Sequence, residues 1–242
     1  MTKREVFVNL MTKPSAIGIF VNPFYIARAN LYKHIQKHAL KLRGNLIDIG
    51  CGDKPYEDLF KNVTKYEGLE ISSSVHTLTK ADFNYDGTTL PFNNETYDSI
   101  FLSEVLEHVF NPDELLKEIN RVMSPNAKLL ITVPFVWDEH EQPYDFARYS
   151  SFGLHHILKK NGFEIEISEK SCANIGVLFQ LLNGYIYKVT YSWNIAFRIV
   201  IFAILCFPIN LIGLILGFLL PNNNDLYLDN IIIATKSQTQ RN

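Results

Sequence analysis

Acidic residues are absent from one long stretch of this 242-residue chain. No Asp or Glu occurs between Cys172 and Asn224, and the only basic residues there are Lys188 and Arg198. Over the whole chain, 25 acidic and 23 basic residues give a net charge of -2, and 47% of the residues are apolar. Balanced charge provides no overall positive field for nucleic acid, and the apolar content excludes a disordered chain. The chain therefore consists of a polar part joined to a very apolar part.

The chain also has few cysteines, and it shows no secretory signal pattern. The three cysteines, Cys51, Cys172 and Cys206, lie far apart in the sequence. They indicate neither a disulfide framework nor a zinc site, and they fit a reducing compartment. Lys13 and Pro14 interrupt the apolar residues near the N-terminus, so no secretory h-region is formed. We therefore expect a cytoplasmic protein.

Short apolar runs alternate with helical patterns along most of the chain, which predicts a doubly wound, parallel α/β sheet. A further β-branched run at residues 230–235 follows the acid-free stretch and is expected to be the final strand. The other predicted strands are residues 45–49, 65–69, 80–83, 97–102, 128–133 and 163–168. The predicted organisation is an N-terminal segment 1–22, a core 23–171, an apolar helical insertion 172–224, and a final strand and tail 225–242 that complete the core.

A carboxylate and two glycines mark the end of the first predicted strand. Residues 46–53 read LIDIGCGD, which places Asp48 in the strand and Gly50, Cys51 and Gly52 in a tight turn after it. Such a turn lies at the carboxyl edge of the sheet, where open α/β folds bind ligands. Glycine allows the backbone to approach a ligand closely. The pattern therefore predicts a ligand site at this turn.

The same turn argues against a dinucleotide and an NAD-dependent oxidoreductase. Pro55 stands where the dinucleotide fingerprint requires a third small residue for helix packing. Asp48 and Asp53 flank the turn with negative charge, which repels a pyrophosphate. We expect a ligand that carries an ammonium or a sulfonium group instead.

Further candidate ligand-binding residues follow the second and third predicted strands. Glu70 ends the second strand, where an acid can accept hydrogen bonds from both hydroxyls of a ribose. After the third strand, Asp82 offers a carboxylate for an exocyclic amine and Phe83 a ring for adenine. The spacing of these sites predicts a nucleoside with a cationic tail.

At these residues the chain resembles the class I S-adenosylmethionine-dependent methyltransferases, in particular the type 11 branch. The resemblance covers residues 22–168 and rests on the strings LIDIGCGD, YEGLEIS and ADFNYDGTTLPFNNETYDSIFLSEVLEHV. It implies a Rossmann-like, seven-stranded sheet whose last strand is antiparallel, with S-adenosylmethionine bound across its carboxyl edge. The cofactor-binding residues that it implies are Asp48, Gly50, Cys51, Gly52, Glu70, Ile71, Asp82, Phe83, Ser103 and Glu104.

The segment 137–149 follows the fifth predicted strand and should overhang the transferred methyl group. Methyl transfer needs a positioned nucleophile and a base that takes its proton. His140 is the candidate base, and Tyr144 and Arg148 are expected to contact the acceptor; a purely structural role for His140 is an equally good interpretation. We favour a structural role for His108. A divalent metal held by the carboxylates of this segment is an alternative, but we predict no metal, because the segment has no recognisable ligand spacing.

Residues 194–220 are strongly apolar and contain one charged residue, Arg198. Pro208 and Asn210 predict two short helices, each about 15–20 Å long, which is less than the roughly 30 Å of bilayer hydrocarbon. A single crossing would also separate residues 230–235 from the rest of the sheet. We therefore predict two helices that lie in the membrane interface or enter it as a hairpin. The alternative is a cover that packs on the protein itself or across a dimer.

Taken together, these patterns predict a methyltransferase at the cytoplasmic membrane face, either peripheral or monotopic. Its cofactor would be S-adenosylmethionine, and its acceptor a small molecule or a lipid- or glycan-linked group. Nucleic acid is not an expected partner. The alternative hypothesis is a catalytically silent S-adenosylmethionine-binding module that scaffolds a membrane assembly.

Overall fold

The structure is a computed structural model that describes residues 3–72 and 80–237, without the side chains of residues 3–7. The described residues form two compact units. We call the first the sheet unit; it contains residues 35–72, 80–135, 139–169 and 230–237. We call the second the helical unit; it contains residues 3–34, 136–138 and 170–229. The predicted domain boundaries stay a prediction.

A seven-stranded sheet has the strand order β3-β2-β1-β4-β5-β7-β6. Its strands are β1 Gly44–Ile49, β2 Val63–Ile71, β3 Phe83–Tyr85, β4 Tyr97–Ser103, β5 Met123–Pro134, β6 Phe163–Lys170 and β7 Asp229–Lys236. The pairs β1–β2, β1–β4, β2–β3 and β4–β5 are parallel. Strand β7 is antiparallel to its neighbours, since Ser237 after it donates to the carbonyl of Gly162 before β6. The predicted seven-stranded α/β fold with one antiparallel strand is confirmed.

The third strand begins later than the sequence pattern predicts. Asp82 contacts Gly68 of β2 twice, because its N–H donates to the Gly68 carbonyl at 2.8 Å and its carboxylate accepts from the Gly68 N–H at 2.7 Å. The strand itself comprises Phe83–Tyr85 rather than residues 80–83. This shift places Asp82 at the entrance of β3 with its side chain directed at the backbone of β2.

Two helices of the sheet unit, α4 Pro112–Val122 and α5 Ser151–Lys160, contribute to one hydrophobic core. Helix α4 begins with proline followed by two acidic residues, which suit the first turn and the positive end of the helix dipole. It buries one apolar face, while α5 is capped by the hydroxyl of Ser150. The buried residues of these helices are Leu115, Leu116, Ile119, Val122, Leu154 and Leu158. They pack with apolar side chains of the central strands and support the sheet from which the site is built.

The helical unit contains a continuous apolar helix where the sequence predicted two. Its helices are α1 Lys3–Thr12, α2 Ala16–Val21, the first part of α3 Tyr25–Ala39, α6 Gly176–Val189, α7 Ile195–Ile201 and α8 Phe207–Leu219. A π-helical turn, Phe202–Cys206, joins α7 to α8, so 25 residues, Ile195–Leu219, form one helix. The predicted break at Pro208 and Asn210 is therefore wrong. Proline is tolerated near a helix start, and the wide π-turn before it provides space for its ring.

A buried amide network holds the apolar helices of this unit together. Asn183 of α6 donates through Nδ2 to Oδ1 of Asn210 at 2.8 Å. Asn210 of α8 donates in turn to the carbonyl oxygens of Ile19 and Asn22, at 3.0 and 3.1 Å. Both asparagines are fully buried. Because a buried polar group is costly unless it is hydrogen-bonded, this network specifies how α6 and α8 pack.

We expect Asn210→Ala to destabilise the helical unit. The substitution leaves the Asn183 amide and two carbonyls buried without these bonds, at a cost of about 2–4 kcal/mol. For a chain of this size, that corresponds to a fall in melting temperature of about 5–10 °C. Circular dichroism would measure it, with the exposed Asn222→Ala as the matched control. Equal melting temperatures for the two variants would contradict the structural role of the network.

Candidate functional site

The carboxyl ends of the central parallel strands bring the predicted cofactor residues to one edge of the sheet. Asp48 of β1 is in register with Gly68 of β2 and Phe101 of β4. Ser103 at the end of β4 is in register with Thr132 of β5. Parallel strands end at a common edge, and open α/β sheets bind their ligands there. The structure therefore brings together residues that are up to 84 positions apart in sequence.

The turn after β1 combines one tightly packed glycine with one that faces open space. Gly50 has a φ of +73°, and a Cβ added there would lie 2.4 Å from Cγ2 of Val105. Gly52 has a φ of +47°, and an added Cβ would meet no atom within 4 Å. Both backbone conformations favour glycine. Gly50 lets the turn pack against the protein, while Gly52 provides the space that a bound ligand would fill.

Glu70 at the end of β2 is held in place by two backbone N–H groups. Its Oε2 accepts from Gly52 N–H and its Oε1 from Ile71 N–H, both at 3.1 Å. The side chain is buried. Each carboxylate oxygen has two lone pairs, so each retains the capacity to accept a ribose hydroxyl. The geometry fits the predicted role of Glu70.

Asp48 provides a buried carboxylate behind the turn. The hydroxyl of Tyr66 donates to its Oδ2 at 2.5 Å. Burial raises the pKa of Asp48 to about 7, although the Tyr66 hydrogen bond and the charge of Lys54 act in the opposite direction. A cationic ligand would favour the ionised form. The Asp48 carboxylate therefore fits a ligand with an ammonium or sulfonium group.

Cys51 lies in the same turn and is buried. Burial, together with the negative charges of Asp48 and Glu70, raises the pKa of its thiol to about 12. The thiol is therefore neutral at physiological pH. Because the thiolate is the nucleophilic form of cysteine, Cys51 contributes a small side chain to the turn rather than a reactive group.

The carboxylate of Asp82 is engaged by a residue that the sequence patterns did not single out. Lys54 forms an ion pair with Asp82. Burial disfavours the charged form of Asp82, but hydrogen bonds from Lys54 and from Gly68 N–H outweigh it and lower its pKa. Phe83, the predicted adenine-stacking ring, is partly exposed and touches Phe92 edge-on. Lys54 belongs to the stretch Asp53-Lys54-Pro55, which is followed by a short 3₁₀ turn, Glu57–Leu59.

Ser103 and Glu104 are linked through a threonine that sequence reasoning missed. Thr132 donates through Oγ1 to Oε1 of Glu104 at 2.9 Å, and Ser103 Oγ lies 2.9 Å from the same Oγ1. Since the Thr132 proton is directed at Glu104, Ser103 is the donor to Thr132. Glu104 has a φ of +55°, a conformation that non-glycine residues seldom adopt outside functional sites. The sequence did not predict a role for Thr132, because a threonine in a buried strand belongs to no recognisable motif.

Residues 139–149 are attached to the 3₁₀ turn Leu106–His108, which follows β4. The N–H groups of Phe146 and Ala147 donate to the Glu107 carbonyl at 2.8 and 3.2 Å. His108 Nδ1 lies 2.9 Å from the carbonyl oxygen of Tyr144. These contacts bring the rings of His108 and His140 edge to face, with their centroids 4.7 Å apart. The two histidines, which are 32 positions apart in sequence, therefore form one cluster.

An arginine–aspartate pair orients His140. Arg148 donates to both carboxylate oxygens of Asp145, at 2.5 and 2.6 Å. Asp145 Oδ2 also accepts from the backbone N–H of His140 at 2.9 Å, and the same oxygen lies 3.4 Å from Nδ1 of the His140 ring. Burial disfavours the charged form of Asp145, but the hydrogen bonds from Arg148 and His140 lower its pKa. The Tyr144 side chain is exposed. The roles of His140, Tyr144 and Arg148 stay predictions.

Comparison with known proteins identifies the class. A family model described as a methyltransferase domain matches residues 25–168. The chain belongs to this methyltransferase-domain family, and the resemblance seen in the sequence motifs is confirmed. S-adenosylmethionine is its cofactor. None of the curated proteins compared with the chain matches it in sequence.

Solved structures share the fold at low sequence identity. Phosphoethanolamine N-methyltransferase 2 from Haemonchus contortus, crystallised with S-adenosylmethionine, is 18% identical with a TM-score of 0.55. The match covers 97% of this chain and 57% of that enzyme. A second structure of that enzyme, with S-adenosylhomocysteine and phosphomonomethylethanolamine, matches with a TM-score of 0.52 and 18% identity, over 97% of this chain and 58% of the other. The [4+2]-cyclase SpnF is 18% identical with a TM-score of 0.56, over 86% of this chain and 80% of the other.

We expect Glu70→Ala to weaken S-adenosylmethionine binding by about 10–100-fold. Hydrogen bonds to a charged group contribute about 1.5–3 kcal/mol each, and the substitution also frees the Gly52 N–H from its partner in the turn. Isothermal titration calorimetry would measure the change. Glu164→Gln, an exposed glutamate of β6, is the control and should bind as the unmodified chain does. Undiminished affinity in the Glu70 variant would remove it from the site.

The buried Asp48 should also impose a pH dependence on stability. The unfolded chain ionises this group near pH 4, whereas the folded chain does so near pH 7. Its stabilising contribution is therefore complete below about pH 4 and is lost as the pH rises to about 7. We expect Asp48→Asn to lose less stability than the unmodified chain between about pH 5 and about pH 8. Melting temperatures across this range would show it, with the exposed Asp58→Asn as the control. Parallel curves for all three proteins would contradict the assignment.

Proposed function

We propose that this chain transfers a methyl group from S-adenosylmethionine to a small molecule or a lipid- or glycan-linked acceptor at the cytoplasmic face of a membrane. It would act there as a peripheral or monotopic protein. Methyl transfer as the reaction is supported by the family and by the acid–glycine site at the sheet edge. The observation that carries the membrane part is the exposed apolar surface of the helix Ile195–Leu219.

That helix presents far more apolar surface than it buries. Only 22% of its most hydrophobic 18-residue window is buried. Contiguous apolar surface of this extent is typical of membrane or protein contact sites. Its exposed apolar side chains, which we call the apolar face, are Ile195, Phe197, Ile199, Val200, Ile204, Leu205, Leu211, Ile212, Ile215, Phe218 and Leu219.

An arginine and several aromatic residues lie near the start of this helix, and such residues are typical of a membrane interface. The guanidinium of Arg198 lies over the rings of Tyr187 and Tyr191, 5.1 and 5.3 Å from their centroids. Trp193 and Tyr185 are exposed close to the helix start. Aromatic rings and long basic side chains are enriched at headgroup level. These residues support a helix that enters the interface with its apolar face towards lipid.

Chain connectivity supports an orientation in the membrane plane. The helix is about 37 Å long, which is sufficient to cross a bilayer. However, the chain leaves the sheet after β6 and returns to it as β7. A single crossing between these strands would place β7 on the opposite side from its partners. A helix parallel to the surface avoids this separation and binds lipid with one face.

The proposed chemistry is an in-line displacement at the methyl carbon. The acceptor nucleophile forms a bond to this carbon while the carbon–sulfur bond breaks, and S-adenosylhomocysteine is released as a neutral thioether. His140 takes the acceptor proton. Nδ1 of His140 lies 3.4 Å from both the Asp145 carboxylate and a terminal nitrogen of Arg148, and Arg148 holds that carboxylate in place. Tyr144 contacts the acceptor.

A catalytically silent S-adenosylmethionine-binding module is the second candidate. The fold of this chain is also similar to that of a [4+2]-cyclase. Because one fold can host unrelated functions, this similarity supports a candidate that is not a methyltransferase. Such a module would bind S-adenosylmethionine without forming S-adenosylhomocysteine on any acceptor. It would also be indifferent to His140→Ala. Measuring S-adenosylhomocysteine release therefore separates the two candidates.

We expect the protein to float with phospholipid vesicles and to transfer labelled methyl groups to lipid or glycan fractions mixed with them. Replacing Phe197 and Phe218 of the apolar face by Glu should reduce vesicle binding by at least about 100-fold, since each buried Phe contributes about 1.5–3 kcal/mol. Label incorporation into the vesicle fraction should fall with it. S-adenosylmethionine affinity should stay unchanged, because the cofactor residues are untouched.

Phe152→Glu is the matched control for these substitutions. Phe152 of α5 is 84% exposed and Phe218 is 88% exposed, but only Phe218 belongs to the apolar face. The control should float and transfer label as the unmodified chain does. Two results would refute the proposal: no vesicle binding by the unmodified chain, or no labelled product from any fraction.

A further inference from the structure

We propose that Glu107, His108 and His140 form a binding site for a divalent transition-metal ion of the Zn²⁺ class. One potential ligand atom from each of these residues lies within 4.8 Å of the others. Two imidazoles and a carboxylate are a donor set that Zn²⁺ accepts in catalytic sites. The cluster lies where residues 139–149 meet the turn after β4, on the side predicted to face the acceptor.

His108 is oriented as a metal ligand would be. Its Nδ1 lies 2.9 Å from the carbonyl oxygen of Tyr144, which can only accept a hydrogen bond. Nδ1 therefore carries the proton, and the lone pair of the neutral imidazole is on Nε2. A metal-binding histidine typically donates its other N–H to a backbone carbonyl or a carboxylate, which fixes the tautomer and the ring.

His140 has the corresponding arrangement with a carboxylate in place of the carbonyl. Its Nδ1 lies 3.4 Å from Oδ2 of Asp145, and Arg148 binds the same carboxylate through both terminal nitrogens. A terminal nitrogen of Arg148 lies at the same 3.4 Å from Nδ1, so the arginine–aspartate pair holds this edge of the ring in place. Carboxylate–histidine–metal arrangements of this kind are common around zinc. Both histidines are thus held by polar groups in orientations that bring one ring nitrogen of each into the cluster.

Two carboxylates approach the Nε2 atom of His108. Oε1 of Glu107 lies 3.7 Å from it, and Oε2 of Glu141 lies 3.8 Å from it. Both separations are longer than a hydrogen bond, and they match ligands that share one ion, which are roughly 3–4 Å apart at zinc–ligand bond lengths. The Glu107 side chain is fully buried. A buried carboxylate is strongly stabilised by a neighbouring cation.

The role of the ion in catalysis, unlike its binding, rests on the proposed function. A bound ion would hold an acceptor oxygen and lower its pKa, which is the usual effect of zinc on a bound hydroxyl. It would also occupy the His140 lone pair that a proton acceptor needs. Proton acceptor and metal ligand are therefore mutually exclusive roles for His140, and direct measurement of metal binding decides between them.

The test is Zn²⁺ calorimetry and Co²⁺ absorption on the untagged full chain after removal of metal with a chelator. We expect one ion to bind at this cluster, with visible Co²⁺ bands typical of nitrogen and oxygen ligands. His108→Ala and His140→Ala should each weaken Zn²⁺ binding by at least about 100-fold. Asp145→Asn, which removes the carboxylate that holds Arg148 and His140, should weaken it by about 10–100-fold.

Two controls keep this result specific. His156→Ala removes an exposed histidine of α5 and should leave Zn²⁺ affinity unchanged. S-adenosylmethionine binding, measured on the same samples, shows that each variant is folded. Absence of Zn²⁺ binding by the unmodified chain, or equal affinity in the His108→Ala, His140→Ala double variant, overturns the metal site. Failure of S-adenosylmethionine binding with Zn²⁺ binding intact would instead count against the methyltransferase function.

Discussion

The hydrogen bond from Gly52 N–H to Glu70 connects the turn after β1 with the end of β2, and the geometry of the predicted cofactor site depends on it. It fixes the Glu70 carboxylate at the edge of the sheet. It also holds the backbone of Gly52 in a left-handed conformation that faces open space. Asp48 lies behind this turn, where burial keeps its carboxyl partly protonated until a cation arrives. One backbone contact thus places two acids at different depths of the same site.

Negative charge is the common feature of this edge of the sheet. Asp48 and Glu70 lie near the ends of β1 and β2, Glu104 directly follows β4, and Asp82, which precedes β3, forms an ion pair with Lys54. Carboxylates at this density repel a phosphate and attract a sulfonium or an ammonium, which agrees with the cofactor of the family. At the segment 139–149, Arg148 binds the Asp145 carboxylate, and that carboxylate accepts from the backbone N–H of His140.

The helical unit is held together by apolar packing and a few buried hydrogen bonds rather than by charge. Its apolar helices carry few charges, yet they are joined by two buried amides: Asn183 donates to Asn210, and Asn210 donates to backbone carbonyls. Arg198, the one charge of the long helix, is covered by aromatic rings. The hydrogen bonds of these asparagines hold the helices together without burying the apolar face in protein. The apolar face is therefore available for contact with lipid.

Local sequence determined most of the sheet and was sufficient to predict the candidate cofactor residues, because strand periodicity, the glycine turn and the acids at strand ends are all features of neighbouring residues. The class of protein followed from those motifs for the same reason. Only the tertiary structure decided what depends on contacts between distant segments. Lys54 pairs with Asp82, Thr132 joins Ser103 to Glu104, and His108 meets His140 across a separation that no local pattern records. The single helix through Pro208 was decided by a π-turn, since its wider hydrogen-bonding pattern accommodates a residue that sequence rules treat as a break.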